Sequence, residues 1–156
     1  MSHYVATIRW SRKPDEAFLD GRYSRAHRWS FDGGAQVLAS SSPSVVRAPF
    51  SDPAGVDPEE ALVAALSSCH MLFFLDFAKR AGFVVESYED PAEGVMEKGV
   101  DGRIRMTKAT LRPRIRFSGD KRPSEAETAA LHHQAHDACY IANSVTTEVT
   151  VEPEAP

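Results

Sequence analysis

The segment from Asp57 to Gly82 constrains this chain more than any other. Asp57 can accept hydrogen bonds from the free amides of a helix start. Pro58 suits the first helical position, and Glu60 completes an Asp-x-x-Glu box. The residues that follow are apolar on most sides, through Leu62-Val63, Leu66, Met71 to Leu75 and Phe77. The pattern predicts a helix enclosed by protein. It runs to Lys79-Arg80, whose charge suits a helix C-terminus, and stops at Gly82. Ser67, Ser68, Cys69, His70 and Asp76 break the apolar run. A bilayer span of about 20 residues does not normally carry that polar load. The expectation is a central helix in a globular domain, with no membrane partner.

Shorter elements surround it. Tyr4 to Trp10 alternates and is rich in β-formers, and Arg22 to Phe31 reads as a second strand. Gln36 to Ala39 can pair back across Asp32-Gly33-Gly34. Ser40 to Val56 is a long Ser/Pro-rich loop. After the helix, Val84 to Tyr88, Gly94 to Glu97, Arg103 to Leu111 and Arg114 to Phe117 read as strands, with Arg112-Pro113 as a bend. Ser124-Glu125-Ala126-Glu127 is a second capping box and opens a helix reaching about Cys139. Ser144 to Val151 closes the chain as a strand. This order predicts one α+β domain over residues 1–156, with antiparallel sheets and a buried central helix.

Charge and cysteine content narrow the function. The 18 Lys+Arg stand against 22 Asp+Glu, a net −4 that argues against nucleic acid as a partner. Two cysteines are too few for a disulfide scaffold in a chain of 156 residues. The start, MSHYVATIRW, lacks the charged and apolar regions of a secretory signal, so a cytoplasmic location is expected. No dinucleotide or phosphate-loop glycine pattern is present, and no cofactor is expected.

Several residues carry potential chemistry. Cys69 is either a small core residue or a nucleophile set in the polar gap of an apolar helix. Cys139, far away in sequence, is equally ordinary alone. With Cys69 it offers a peroxidatic and resolving pair, in which a thiolate becomes a sulfenic acid and a second thiol condenses with it. His70 either modulates the thiol or satisfies a core hydrogen bond. His132 and His136, spaced i and i+4 beside His133 and Asp137, are candidate metal ligands, and their alternative is a solvated helix face. Arg22, Arg25, Arg28 and Arg47 are either exposed cations or partners of a thiolate.

Two stretches resemble a known family. Asp57-Pro58-Glu59-Glu60-Ala61-Leu62, followed by Ala64-Ala65-Leu66-Ser67-Ser68-Cys69, is similar to the first cysteine helix of the OsmC/Ohr family of osmotically inducible and organic hydroperoxide resistance proteins. Ala135-His136-Asp137-Ala138-Cys139-Tyr140-Ile141-Ala142-Asn143 resembles the family's second cysteine motif. The resemblance implies an intertwined homodimer and thiol-dependent reduction of organic hydroperoxides. In that scheme Cys69 is the peroxidatic thiol and Cys139 the resolving one. Glu59 orients an active-site arginine, and a small or protein dithiol is the reductant. For the arginine, Arg25 is preferred over Arg47, because a strand holds a guanidinium more rigidly than a proline-rich loop. His70 and Tyr140 depart from the family pattern. Ten residues of straight helix span about 15 Å, too far for Glu59 to reach Cys69 in the same chain. The alternatives within this fold are a non-catalytic stress or small-ligand-binding protein, and a metal-binding protein built on His132 and His136 with Cys139 as a further candidate ligand.

Overall fold

The computed structural model describes residues 1–155. The chain divides into two compact units, one from Met1 to Ala61 and one from Leu62 onward.

The first unit is a three-stranded antiparallel sheet, β1 (Ala6–Arg9), β2 (His27–Phe31) and β3 (Gln36–Ala39), in that spatial order. β1 pairs with β2 as Ala6↔Phe31 through Arg9↔Arg28, and β2 with β3 as His27↔Ala39 through Ser30↔Gln36. β2 is shorter than its sequence suggests. The expected strand from Arg22 begins only at His27, so Arg25 lies in the loop before the strand, contrary to the reason for preferring it. Local bonds hold residues 20–25 out of extended pairing. Asp20 accepts from the Arg22 amide at 3.0 Å and from its guanidinium at 2.7 Å, and Arg25 donates to the carbonyls of Gly21 and Tyr23.

The long helix α1 (Pro58–Arg80) starts as its sequence predicts. Asp57 Oδ1 accepts from the Glu60 amide at 2.8 Å, and Glu60 returns a carboxylate to the Asp57 amide at 3.1 Å. It ends at Gly82, whose φ of +79° is the left-handed cap. Length and apolarity would let α1 cross a bilayer, but its buried side chains pack within the chain's own core. Those residues are Leu66, His70, Phe74 and Ala78, a single stripe at i, i+4 spacing. The other apolar residues are half-buried or exposed, with Leu72 60% exposed.

The second unit carries β4 (Val84–Glu89), β5 (Glu93–Lys98), β6 (Ile104–Leu111), β7 (Arg114–Ser118), α2 (Glu125–Ala138), a short 3₁₀ turn (Ala142–Ser144) and β8 (Glu148–Val151). β4 pairs antiparallel with β7, and β5 with β6. β8 departs from the antiparallel expectation by joining β6 in parallel, from Lys108↔Glu148 to Leu111↔Val151. A tight hairpin cannot deliver a parallel strand, and α2 supplies the long return that one requires. Phe74, Ala78, Phe83, Ile115, Leu131 and Ala135 form one core cluster, and Leu66, Met106 and Ala109 a second.

Candidate active site

The polar gap in α1 is explained by specific partners in the second unit. Ser67 donates to Asp90 Oδ2 at 2.5 Å, and the other oxygen of Asp90 accepts from the Arg112 amide at 2.6 Å. One carboxylate thereby ties α1 to the β4–β5 turn and the bend before β7. His70 meets His132 of α2, Nε2 to Nδ1, at 3.0 Å. Cys69 meets Cys139. Ser67 and His70 would be costly in an apolar helix without these partners, whereas a thiol such as Cys69 is tolerated there without one.

Cys69 and Cys139 are both free thiols, the first half-buried and the second 2% exposed. α2 keeps the predicted Ser124–Glu127 capping box and ends at Cys139, whose backbone turns extended at φ −64° and ψ 109°. Cys139 Sγ accepts from the Ala142 amide at 3.4 Å. Burial pushes the Cys139 thiol above the usual range. The Ala142 amide opposes that shift, and Cys69 beside it adds to it. The less buried sulfur is therefore the one open to a reagent. The buried one is held protonated against it.

The histidines divide. His70 satisfies a core hydrogen bond, as one of its two sequence readings proposed. His132 is turned inward to meet it, with its ring 4.4 Å from Phe74. His133 points outward to Asp137 at 3.4 Å. The i, i+4 pair His132/His136 is thus half spent on the core. Among the described residues, no three His, Cys, Asp or Glu side chains stand together as a metal ligand set.

Arg25 and Glu59 belong to the first unit, where both line a cleft of about 500 Å³ with Ile8, Trp10, Phe18 and Tyr23. The Arg25 guanidinium lies 3.7 Å from the Tyr23 ring centre and donates to Gly21 O at 2.6 Å and Tyr23 O at 2.5 Å. Its own amide donates to Phe50 O at 2.8 Å. Trp29 donates to His27 Nε2 at 2.9 Å, so His27 Nδ1 carries the proton that goes to Arg25 O at 2.7 Å. Arg25 is thus held without a strand. Among the described residues, no ion pair joins it to Glu59. The aromatic wall, with Phe18 stacked on Tyr23 at 4.7 Å and Trp10 edge-on at 5.4 Å, had no sequence periodicity to announce it. Arg47 is exposed in the loop.

Comparison with known proteins adds the family. Residues 51–154 match the family model described as OsmC-like protein. No match to a curated protein was found. An OsmC-like protein of unknown function from Vibrio cholerae is 52% identical, with a TM-score of 0.97, covering 99% of this chain and 100% of that one. The organic hydroperoxide resistance protein OsmC of Legionella pneumophila is 13% identical, with a TM-score of 0.69 and coverages of 99% and 97%. The organic hydroperoxide resistance protein OhrB of Bacillus subtilis is 17% identical, with a TM-score of 0.64 and coverages of 99% and 98%. At those identities the likeness is one of fold. With a family model matching two thirds of its length and both cysteine motifs inside that match, the chain belongs to the OsmC-like protein family.

Proposed function

We propose that the protein is a thiol-dependent peroxidase that reduces organic hydroperoxides through Cys69 and Cys139. The observation that carries this reading is the pairing of a half-buried thiol with a buried one in direct interaction. The Cys69 thiolate attacks the outer peroxide oxygen. The O–O bond breaks, the alkoxide leaves as alcohol on taking a proton, and Cys69 becomes a sulfenic acid. Cys139 then attacks that sulfur, the S–S bond forms, and the hydroxyl leaves as water. An external dithiol, small or protein-borne, returns both thiols by exchange.

Because α1 runs unbroken from Glu59 to Cys69, a homodimer is assigned to supply these groups: the partner subunit's Arg25 stabilises the thiolate and the developing charge, with the partner subunit's Glu59 as its accessory carboxylate. The aromatic cleft suits an apolar hydroperoxide better than hydrogen peroxide. The apolar groups left exposed, among them Ile8, Leu72 and Tyr140, support a homodimer that covers them. A cycle that ends in a reducible disulfide fits a cytoplasmic location. The Legionella and Bacillus proteins that share this fold are named for organic hydroperoxide resistance, the same class of substrate.

The test is peroxide consumption by the pure protein with a dithiol reductant, comparing cumene hydroperoxide with hydrogen peroxide. Turnover should favour the organic substrate. It should vanish in Cys69→Ser, and Cys139→Ser treated without the dithiol should be left with a sulfenic acid at Cys69 in place of a disulfide. Full consumption by Cys69→Ser would refute the assignment. A protein that binds the cleft's ligands and consumes no peroxide would be a non-catalytic member of the fold.

A further inference from the structure

His70 and His132 form a clasp that the peroxidase scheme does not use. They are 1% and 4% exposed, their rings are nearly parallel at 8°, and the Nε2–Nδ1 distance is 3.0 Å. Among the described residues, this is the only side-chain hydrogen bond between α1 and α2. His132 Nε2 is buried with no partner. A proton there would be an orphaned donor, so His132 is assigned its proton on Nδ1, donating to His70 Nε2.

The clasp has a fixed relation to the thiols. On α1, His70 directly follows Cys69. Cys139, the residue that caps α2 at its C-terminus, lies seven residues beyond His132, about two turns along the same face. Those turns make a lever of about 10.5 Å. A swing of about 10° around the clasp would move the Cys139 sulfur by roughly 2 Å, as much as an S–S bond length. We infer that the His70–His132 hydrogen bond positions α2 on α1 so that Cys69 and Cys139 close a disulfide. These are positioning residues, since neither reacts. The inference deepens the two-cysteine reading proposed above but is testable without peroxide.

Burial supports the clasp's persistence. It holds both imidazoles down, each to about 4, with the charges of His132 and His136 adding to the effect on His70. Both rings are then neutral at ordinary pH, and one hydrogen bond between them needs no counter-ion.

The experiment equilibrates the full chain with reduced and oxidised glutathione. The two protein thiols form one disulfide as glutathione disulfide takes up two electrons and two protons. His132→Leu and His70→Leu should each weaken the protein disulfide about tenfold, a shift of about 30 mV for this two-electron couple. His132→Asn, which keeps a donor near Nδ1, and His70→Gln, which keeps an acceptor near Nε2, should recover most of it. Ile115→Val, in the same core cluster, should lower stability without moving the constant. A wild-type constant in both leucine variants would overturn the inference, as would an equal shift in Ile115→Val. So would wild-type thiols that do not pair in glutathione. If the thiols pair in glutathione but survive a hydroperoxide, the positioning role stands and the peroxidase reading falls.

Discussion

The two units solve the problem of burial differently. Among the described residues, the C-terminal unit holds both buried apolar clusters, one around Phe74 and the other around Leu66. In the N-terminal unit every residue of β1 is exposed, and Tyr4, Val5, Ile8, Trp10, Phe31 and Leu38 all leave much of their surface open. A three-stranded sheet gains independent stability only when one of its faces is covered. The C-terminal unit therefore supplies its own core, whereas the N-terminal sheet leaves its apolar side chains open. The thiol pair sits in the self-sufficient unit, and the aromatic cleft in the other.

Variants can break or sharpen this contrast. Phe74→Ala should cost about 3–5 kcal/mol in chemical denaturation, because it empties a fully buried site. A loss below about 1 kcal/mol would show that the Phe74 cluster is not the principal core. Acid acts on the same region. Both imidazoles are depressed to about 4 in the fold against about 6.5 in the unfolded chain. Their contribution is fully present above pH 6.5 and is lost as pH falls from there towards 4, where the unfolded chain takes up protons that the fold refuses. Each imidazole adds a slope of up to about 1.4 kcal/mol per pH unit, and the double variant His70→Leu/His132→Leu should lose it in pH-dependent unfolding. On the N-terminal side, Ile8→Asp should weaken self-association at least about tenfold, about 1.4 kcal/mol, in sedimentation equilibrium. Unchanged association would mean that a homodimer leaves this sheet uncovered. The smallest effect is Ser124→Ala, about 1 kcal/mol from the loss of the α2 cap.

Much of this was legible in the residues, for local reasons. Both helices announce themselves through capping boxes, and Asp57 and Ser124 make the bonds their spacing implies. The strand order followed from alternation and turn residues. The parallel pairing of β8 did not, because register between distant strands depends on tertiary packing. β2 was over-extended towards Arg22 because Tyr23 and Arg25 look like strand residues, whereas Asp20 and the carbonyls of Gly21 and Tyr23 capture their neighbours first. Within the candidate site, Cys69, His70 and Ser67 were visible as a polar gap in an apolar helix. Their partners Cys139, His132 and Asp90 lie 23 to 70 residues away in the chain, and periodicity cannot reveal contacts at that range.

The most direct test of the central claim is mass spectrometry of the pure protein after one equivalent of cumene hydroperoxide. The two-cysteine account predicts the loss of two hydrogens and a single intrachain link between the Cys69 and Cys139 peptides, with a trapped sulfenic acid at Cys69 in Cys139→Ser. Two intact thiols after that exposure, or disulfides only between chains, would contradict it.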